Sequence, residues 1–221
     1  MANRSPLASQ LGAAIRGLLL LTVVVGIAYP LAITAIAQVA FPDQADGSLV
    51  ERDGVVVGSS LIGQAFTRPV ERDGKAVLDD AGDAVMEPDP AYFQSRPSAA
   101  GTGYDTLSSG ASNLAGTSPE LEQLVRQRRL EVAALNGVPA SSVPPDGLLA
   151  SGSGLDPDIS PQYAALQVDR VARARGLPPD LVRDLVDAHT TGRAWGFLGE
   201  PTVNVLELNL ALDRVAGGQE K

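Results

Sequence analysis

Residues 17–42 read GLLLLTVVVGIAYPLAITAIAQVAFP, and no side chain from Gly17 to Pro42 is charged. At 1.5 Å per residue the stretch is ~39 Å long as a helix, against a hydrocarbon core of ~30 Å. It is long enough to cross a bilayer with some tilt. A cleaved signal sequence is the rival reading, since Ala35-Ile36-Ala37 resembles a small-residue cleavage site. Its apolar region would, however, run to only ~7–15 residues. The sequence therefore predicts a retained anchor over 17–42, a short N-terminal flank over 1–16 and one domain over 43–221.

Flanking charge sets the expected orientation. Arg4 and Arg16 are the only charged side chains before the span, whereas Asp43, Asp46 and Glu51 follow it. The positive-inside rule then puts the N-terminus in the cytoplasm and residues 43–221 outside. Tyr29-Pro30 lies near the middle of the span, where proline removes a backbone donor and predicts a kink. Thr22, Tyr29, Thr34 and Gln38 fall within one half of the helical wheel and mark a candidate protein-facing side. The opposite half carries aliphatic residues such as Leu18, Leu21, Val24, Leu31 and Val39.

The whole chain has 221 residues and a formal charge of -9. The two N-terminal arginines leave 15 basic residues against 26 acidic ones beyond the span, formally -11. An acidic balance argues against nucleic acid, whose phosphates need Lys and Arg. Without cysteine there is no disulfide, thiolate nucleophile or zinc–thiolate site, and one histidine excludes a multi-histidine metal site. With aromatic content at 4%, the core is expected to rest on Ala, Val and Leu.

Beyond the span the reading is mixed α+β. Asp53-Gly54 between Leu49-Val50 and Val55-Val56-Val57 signals a hairpin, which Leu61-Ile62 is expected to continue. Residues 67–91, rich in Asp, Gly and Pro, predict a solvated insertion with a small hairpin through Ala76-Val77-Leu78 and Ala84-Val85-Met86. From Tyr92 to Ser118 periodicity vanishes, and Tyr92, Phe93, Tyr104 and Leu107 are read as anchors of an ordered loop. Ser118-Pro119, Ser160-Pro161 and Pro179-Asp180 signal three helix starts, with stops at Asn136-Gly137, at Gly176 and near His189. Val203 to Val215 alternates like a strand yet also fits a helix. Asn204 with Glu207 resembles a capping box and favours the helix.

Few residues suggest chemistry. Ser151-Gly152-Ser153-Gly154 is a weak nucleotide candidate, because backbone donors in such a run can cradle phosphate, but P-loop lysine and spacing are missing. Asp156-Pro157-Asp158 reads as Asx-turn chemistry rather than a catalytic pair. His189 reads as a structural histidine, and Arg126, Arg128, Arg129, Arg170, Arg173 and Arg175 as helix-face partners for carboxylates. For Gly192-Arg193-Ala194-Trp195-Gly196-Phe197 two readings stay open. Either the loop folds onto the core, or Arg193, Trp195 and Phe197 form an exposed docking site.

Several motifs together resemble the KdpC family, the C subunit of the bacterial Kdp potassium-importing P-type ATPase. They are Tyr29-Pro30 with Phe41-Pro42, Gly58-Ser59-Ser60-Leu61-Ile62-Gly63-Gln64, Tyr92-Phe93-Gln94-Ser95-Arg96-Pro97-Ser98, Gly103-Tyr104-Asp105, Ser109-Gly110-Ala111-Ser112-Asn113-Leu114, Ser151 to Pro157, His189-Thr190, and Gly196 to Asp213. The resemblance implies a non-catalytic accessory subunit in the inner or plasma membrane. Its implied partners are a channel-like potassium-translocating subunit, a P-type ATP-hydrolysing subunit and a small single-span subunit. It also implies a chaperone-like rise in the ATP affinity of the catalytic subunit, with ATP reached through the complex and no cofactor of the chain's own. An extracytoplasmic placement is at odds with direct contact to a cytoplasmic nucleotide site. The alternative from another class is a membrane-anchored extracytoplasmic hydrolase.

Overall fold

The computed structural model describes residues 6–219; Arg4, on which part of the orientation argument rests, lies outside the described residues. Two compact units divide the chain, one up to Leu49 and one from Val50 onward.

The first unit is built on one long helix. It comprises α1 (Pro6–Val23), a π-helical turn (Val24–Ala28) and α2 (Tyr29–Ala40). The apolar helix from Leu7 to Ala40 has 34 residues, ~51 Å at the α-helical rise. It therefore starts well before the uncharged stretch. Arg16 sits inside it and folds its Nε back onto the Gly12 carbonyl at 3.1 Å. Large apolar side chains point outward all round, Leu19, Leu31 and Val39 among them. A helix apolar on every side and uncovered by protein suits lipid rather than water.

The disturbance expected at Tyr29-Pro30 takes the form of the π turn. Proline has no N–H for the Gly26 carbonyl, and its ring crowds that group. One widened turn relieves the crowding: the Tyr29 N–H reaches back five residues to the Val24 carbonyl. After Ala40 the chain leaves the helix at Phe41 and turns through α3 (Pro42–Ala45). Gln38 Nε2 donates to Asp46 Oδ1 at 2.9 Å.

The second unit is a mixed α+β domain. β1 (Leu49–Arg52) and β2 (Val55–Ser59) form the first hairpin. Its corner residues Asp53 and Gly54 both have positive φ, as a tight two-residue turn demands. Leu61 and Ile62 do not extend this sheet. The Leu61 N–H is captured by Ser59 Oγ at 3.1 Å, and the Gly63 N–H by the Leu155 carbonyl at 2.9 Å. Side-chain capture turns the chain before a strand can form. Residues 67–91 form a ribbon. β3 (Thr67–Pro69) pairs with β6 (Met86–Pro88), and β4 (Glu71–Arg72) with β5 (Lys75–Ala76). The expected small hairpin is present, with the Val85 N–H bonded to the Val77 carbonyl at 2.8 Å.

The helices begin and end where the sequence signals them. α4 (Pro119–Asn136) and α5 (Pro161–Arg175) are capped by the Ser118 and Ser160 hydroxyls and closed by left-handed Gly137 and Gly176. α6 (Pro179–Ala188) ends at His189, whose Nδ1 lies 2.8 Å from the Leu185 carbonyl oxygen. In the last apolar stretch the chain is both strand and helix. β9 (Thr202–Asn204) sits between β7 (Asp158–Ile159) and β8 (Thr190–Thr191), all antiparallel, and α7 (Val205–Gln219) follows at once. Asn204 Oδ1 accepts the Glu207 N–H at 3.1 Å, which fixes the start of the helix.

The core gathers Ile159, Val168, Val171, Val182, Val186, Val203, Leu208 and Leu212 from α5, α6, α7 and the three-stranded sheet, with Phe93 from the irregular segment after β6. Leu107 is no anchor; it is 95% exposed because the Asp105 carboxylate holds its N–H in a turn that points outward. Phe93 is fully buried in a segment that has no strand partner. Its backbone groups are paired by amide side chains instead. Asn209 accepts the Phe93 N–H at 2.9 Å and donates to the Phe93 carbonyl at 3.0 Å. Gln167 does the same for Gln94, at 2.7 and 3.1 Å.

Arg170 overturns the expectation that the helix arginines pair with carboxylates. It is 4% exposed, and its hydrogen bonds go to Asn136, Gln167 and the carbonyls of Pro90 and Tyr92. Burial pulls its pKa down to about 10, while the neighbouring Tyr163 and Asp89 act in the opposite sense. Arg175 keeps a carboxylate, with Nη1 2.7 Å from Asp213, and its guanidinium lies 4.4 Å over the Tyr92 ring.

Candidate functional site

Two sequence-nominated surfaces lie on the folded domain. The first is the serine–glycine loop. The Gly154 N–H is held by Ser151 Oγ at 2.9 Å and the Leu155 N–H by Ser153 Oγ at 3.1 Å. The carbonyls of Ser153 and Gly154 accept from the Gly110 N–H and the Ser98 hydroxyl, at 2.8 and 2.7 Å. Ser98 Oγ in turn receives the N–H groups of Ala100 and Tyr104. The loop thus stitches the irregular 98–110 segment to the domain. Two of the donors that would face a phosphate are occupied by its own serines.

Beside it, Arg96 binds Asp156 at 2.9 Å, and the Tyr104 hydroxyl donates to the Arg96 carbonyl at 2.6 Å. Burial pushes the Tyr104 phenol up to about 12, against the lowering effect of its hydrogen bond with Ser95. Asp156 Oδ1 accepts the Asp158 N–H at 3.0 Å, the Asx turn read from the sequence. Burial raises the Asp158 pKa, as does the Asp156 carboxylate, while hydrogen bonds to Thr202 and Asn204 lower it.

The second surface is the aromatic loop between β8 and β9. Ala194 and Leu198 exchange two backbone hydrogen bonds of 2.9 Å, and Trp195 and Gly196 carry the positive φ of a tight corner. Arg193 and Glu200 close the base at 2.6 Å. The loop does not fold onto the core. Trp195 is 84% and Phe197 72% exposed, with ring centroids 6.5 Å apart and Leu198 exposed beside them. Exposed aromatics with an adjacent arginine have the composition of an interface centre. The remaining docking candidates, Thr22, Tyr29 and Thr34, lie exposed on the long helix, and Gln38 is engaged with Asp46.

Residues 11–214 match the family described as KdpC: K+-transporting ATPase, c chain. The chain belongs to the KdpC family. A Potassium-transporting ATPase KdpC subunit of Streptomyces coelicolor is 49% identical over 211 residues, covering 90% of each chain. That of Kineococcus radiotolerans is 51% identical over 203 residues, 90% of this chain and 92% of the relative. That of Rhodopseudomonas palustris is 50% identical over 196 residues, 89% and 92%. The KdpC match takes in the long helix, the serine–glycine loop and the aromatic hairpin, so the resemblance read from scattered motifs holds over nearly the whole chain.

Sequence reasoning missed the buried polar residues Gln167, Arg170 and Asn209. The available signal was position: Gln167 and Arg170 follow Tyr163 at helical spacing, on the face that also carries Val171.

Proposed function

We propose that this KdpC chain is the non-catalytic accessory subunit of a potassium-transporting ATPase. It crosses the membrane once, N-terminus in the cytoplasm, and holds residues 43–221 outside. It assembles and stabilises the complex by docking through the span and through Arg193, Trp195 and Phe197. Its partners are the potassium-translocating, ATP-hydrolysing and small single-span subunits. The observation that carries this reading is an uncovered apolar helix of 34 residues in a chain about half identical to subunits named for that transport. Any influence on ATP affinity then passes through the assembled complex, because the acidic domain and a cytoplasmic nucleotide site lie on opposite sides of the bilayer. The hydrolase alternative is disfavoured: relatives about half identical to this chain are named as subunits of a potassium-transporting ATPase.

The chain has no cysteine, so single cysteines report placement cleanly. In intact cells a membrane-impermeant thiol reagent should label Thr106→Cys, at an exposed position, and label Ser5→Cys only after permeabilisation. The reverse pattern overturns the orientation.

A further inference from the structure

A cavity of about 560 Å³ opens between α4 and the segment Gln94–Ser98, adjoining the serine–glycine loop through Arg96 and Ser98. Pro97, Val132, Leu135 and the Tyr163 ring give it an apolar wall, with Arg128 and Glu131 at its helix side. Its size falls within the range of small-molecule sites, which are apolar with a few placed polar groups.

Two of those polar groups are uncommitted. Tyr163 is only 3% exposed as a residue and lines the cavity, and no hydrogen bond from its hydroxyl is formed among the described residues. The hydroxyl is open to the cavity, where an acceptor of a ligand can reach it. Arg128 donates from Nη1 alone, to the Leu148 carbonyl at 3.0 Å, and leaves the rest of its guanidinium fork unspent. Arg96, also on the wall, is committed to Asp156 and the Leu149 carbonyl. Glu131 accepts from Gln127 at 2.8 Å on the exposed side of α4. The chemistry facing the cavity is thus one cationic fork with the Glu131 carboxylate beside it, one neutral donor and an apolar wall.

From this geometry we infer a binding site for a small organic acid with an apolar body, its carboxylate on Arg128 and its body against Val132, Leu135 and the Tyr163 ring. The Tyr163 hydroxyl donates to a second acceptor oxygen of the ligand. A carboxylate suits an arginine fork better than a neutral group does, because charge-assisted hydrogen bonds are the stronger ones.

The test uses the full chain in nanodiscs, with 4-phenylbutyrate as the probe and 4-phenylbutanol as its neutral counterpart, followed by ligand-observed NMR titration. The acid should saturate in the millimolar range and bind more tightly than the alcohol. Arg128→Gln should weaken the acid about tenfold or more and erase its advantage over the alcohol, and the isosteric Tyr163→Phe should weaken binding about 3–10-fold. Binding should persist when the chain is assembled with its ATPase partners. Absence of saturation would mean that water alone fills the cavity and would overturn the inference. Equal affinity in both variants would overturn it too. So would loss of binding on assembly, which would assign the cavity to a segment of a neighbouring subunit.

Discussion

Replacing Arg170 with methionine should lower the melting temperature of the domain by on the order of 10 °C. The side chain is buried, and its guanidinium makes four hydrogen bonds of 2.7–2.9 Å, to Asn136 Oδ1, Gln167 Oε1 and the carbonyl oxygens of Pro90 and Tyr92. Methionine preserves much of the volume and none of the donors. Acceptors left unpaired in a low-dielectric interior cost about 1–3 kcal/mol each, and removing one partner of a buried charged network costs about 3–5 kcal/mol. The relief of a buried cation offsets part of this, since burial already depresses the arginine pKa. The sign with pH follows from that depression. A base whose folded pKa lies below its unfolded value disfavours folding while it is charged, and that penalty is lost as pH rises from about 10 towards its ordinary range. Arg173→Met, one turn away on the exposed side of α5, is the control and should leave the melting temperature within a degree or two. Equal melting temperatures for the two variants would contradict the role given to Arg170.

Gly154→Ala should destabilise the domain by about 3–5 kcal/mol, whereas Gly152→Ala two residues earlier should be nearly silent. Gly154 has φ +68, and a Cβ there would lie 2.6 Å from the Gly110 oxygen and 2.7 Å from the Ala100 nitrogen. Both are backbone atoms of the segment that the loop stitches down, so the added carbon must push that segment away. Its hydrogen bonds to Ser153 and Gly154 are then lost. A methyl at Gly152 meets nothing within 4 Å and needs no unusual φ. Chemical denaturation of the two variants checks the contrast. Similar midpoints for both would show that the loop is not the tight junction described.

Elements governed by local chemistry were legible in the sequence. Asp53-Gly54 fixed a hairpin corner, Ser118 and Ser160 fixed helix starts, and Gly137 and Gly176 fixed helix ends, because each acts on backbone groups a few residues away. The long apolar helix was legible because an uncharged stretch of that length has the dimensions and polarity a bilayer demands. What escaped depends on pairings distant in sequence. Val203 reads as part of the last helix until β7 and β8 are beside it and make it the centre of a strand. Leu107 reads as an anchor until the Asp105 turn points it outward. Arg170 reads as a surface charge until the unpaired carbonyls of 90–92 surround it. Of the docking candidates, the sequence singled out Arg193, Trp195 and Phe197 but left their exposure open. That exposure follows from the short Ala194–Leu198 hairpin, whose corner leaves the rings no core to enter.

Retention of partners in detergent decides whether this chain works as a docked subunit of a potassium-transporting ATPase. A tagged chain, co-expressed with the proposed ATPase subunits and purified from solubilised membranes, should carry the ATP-hydrolysing and potassium-translocating subunits through gel filtration. The preparation should hydrolyse ATP in response to potassium. The double change Trp195→Ala with Phe197→Ala should reduce partner retention severalfold while the melting temperature of the isolated chain stays unchanged. A wild-type chain that elutes alone from membranes in which the ATPase subunits are present would show that it is not a docked subunit.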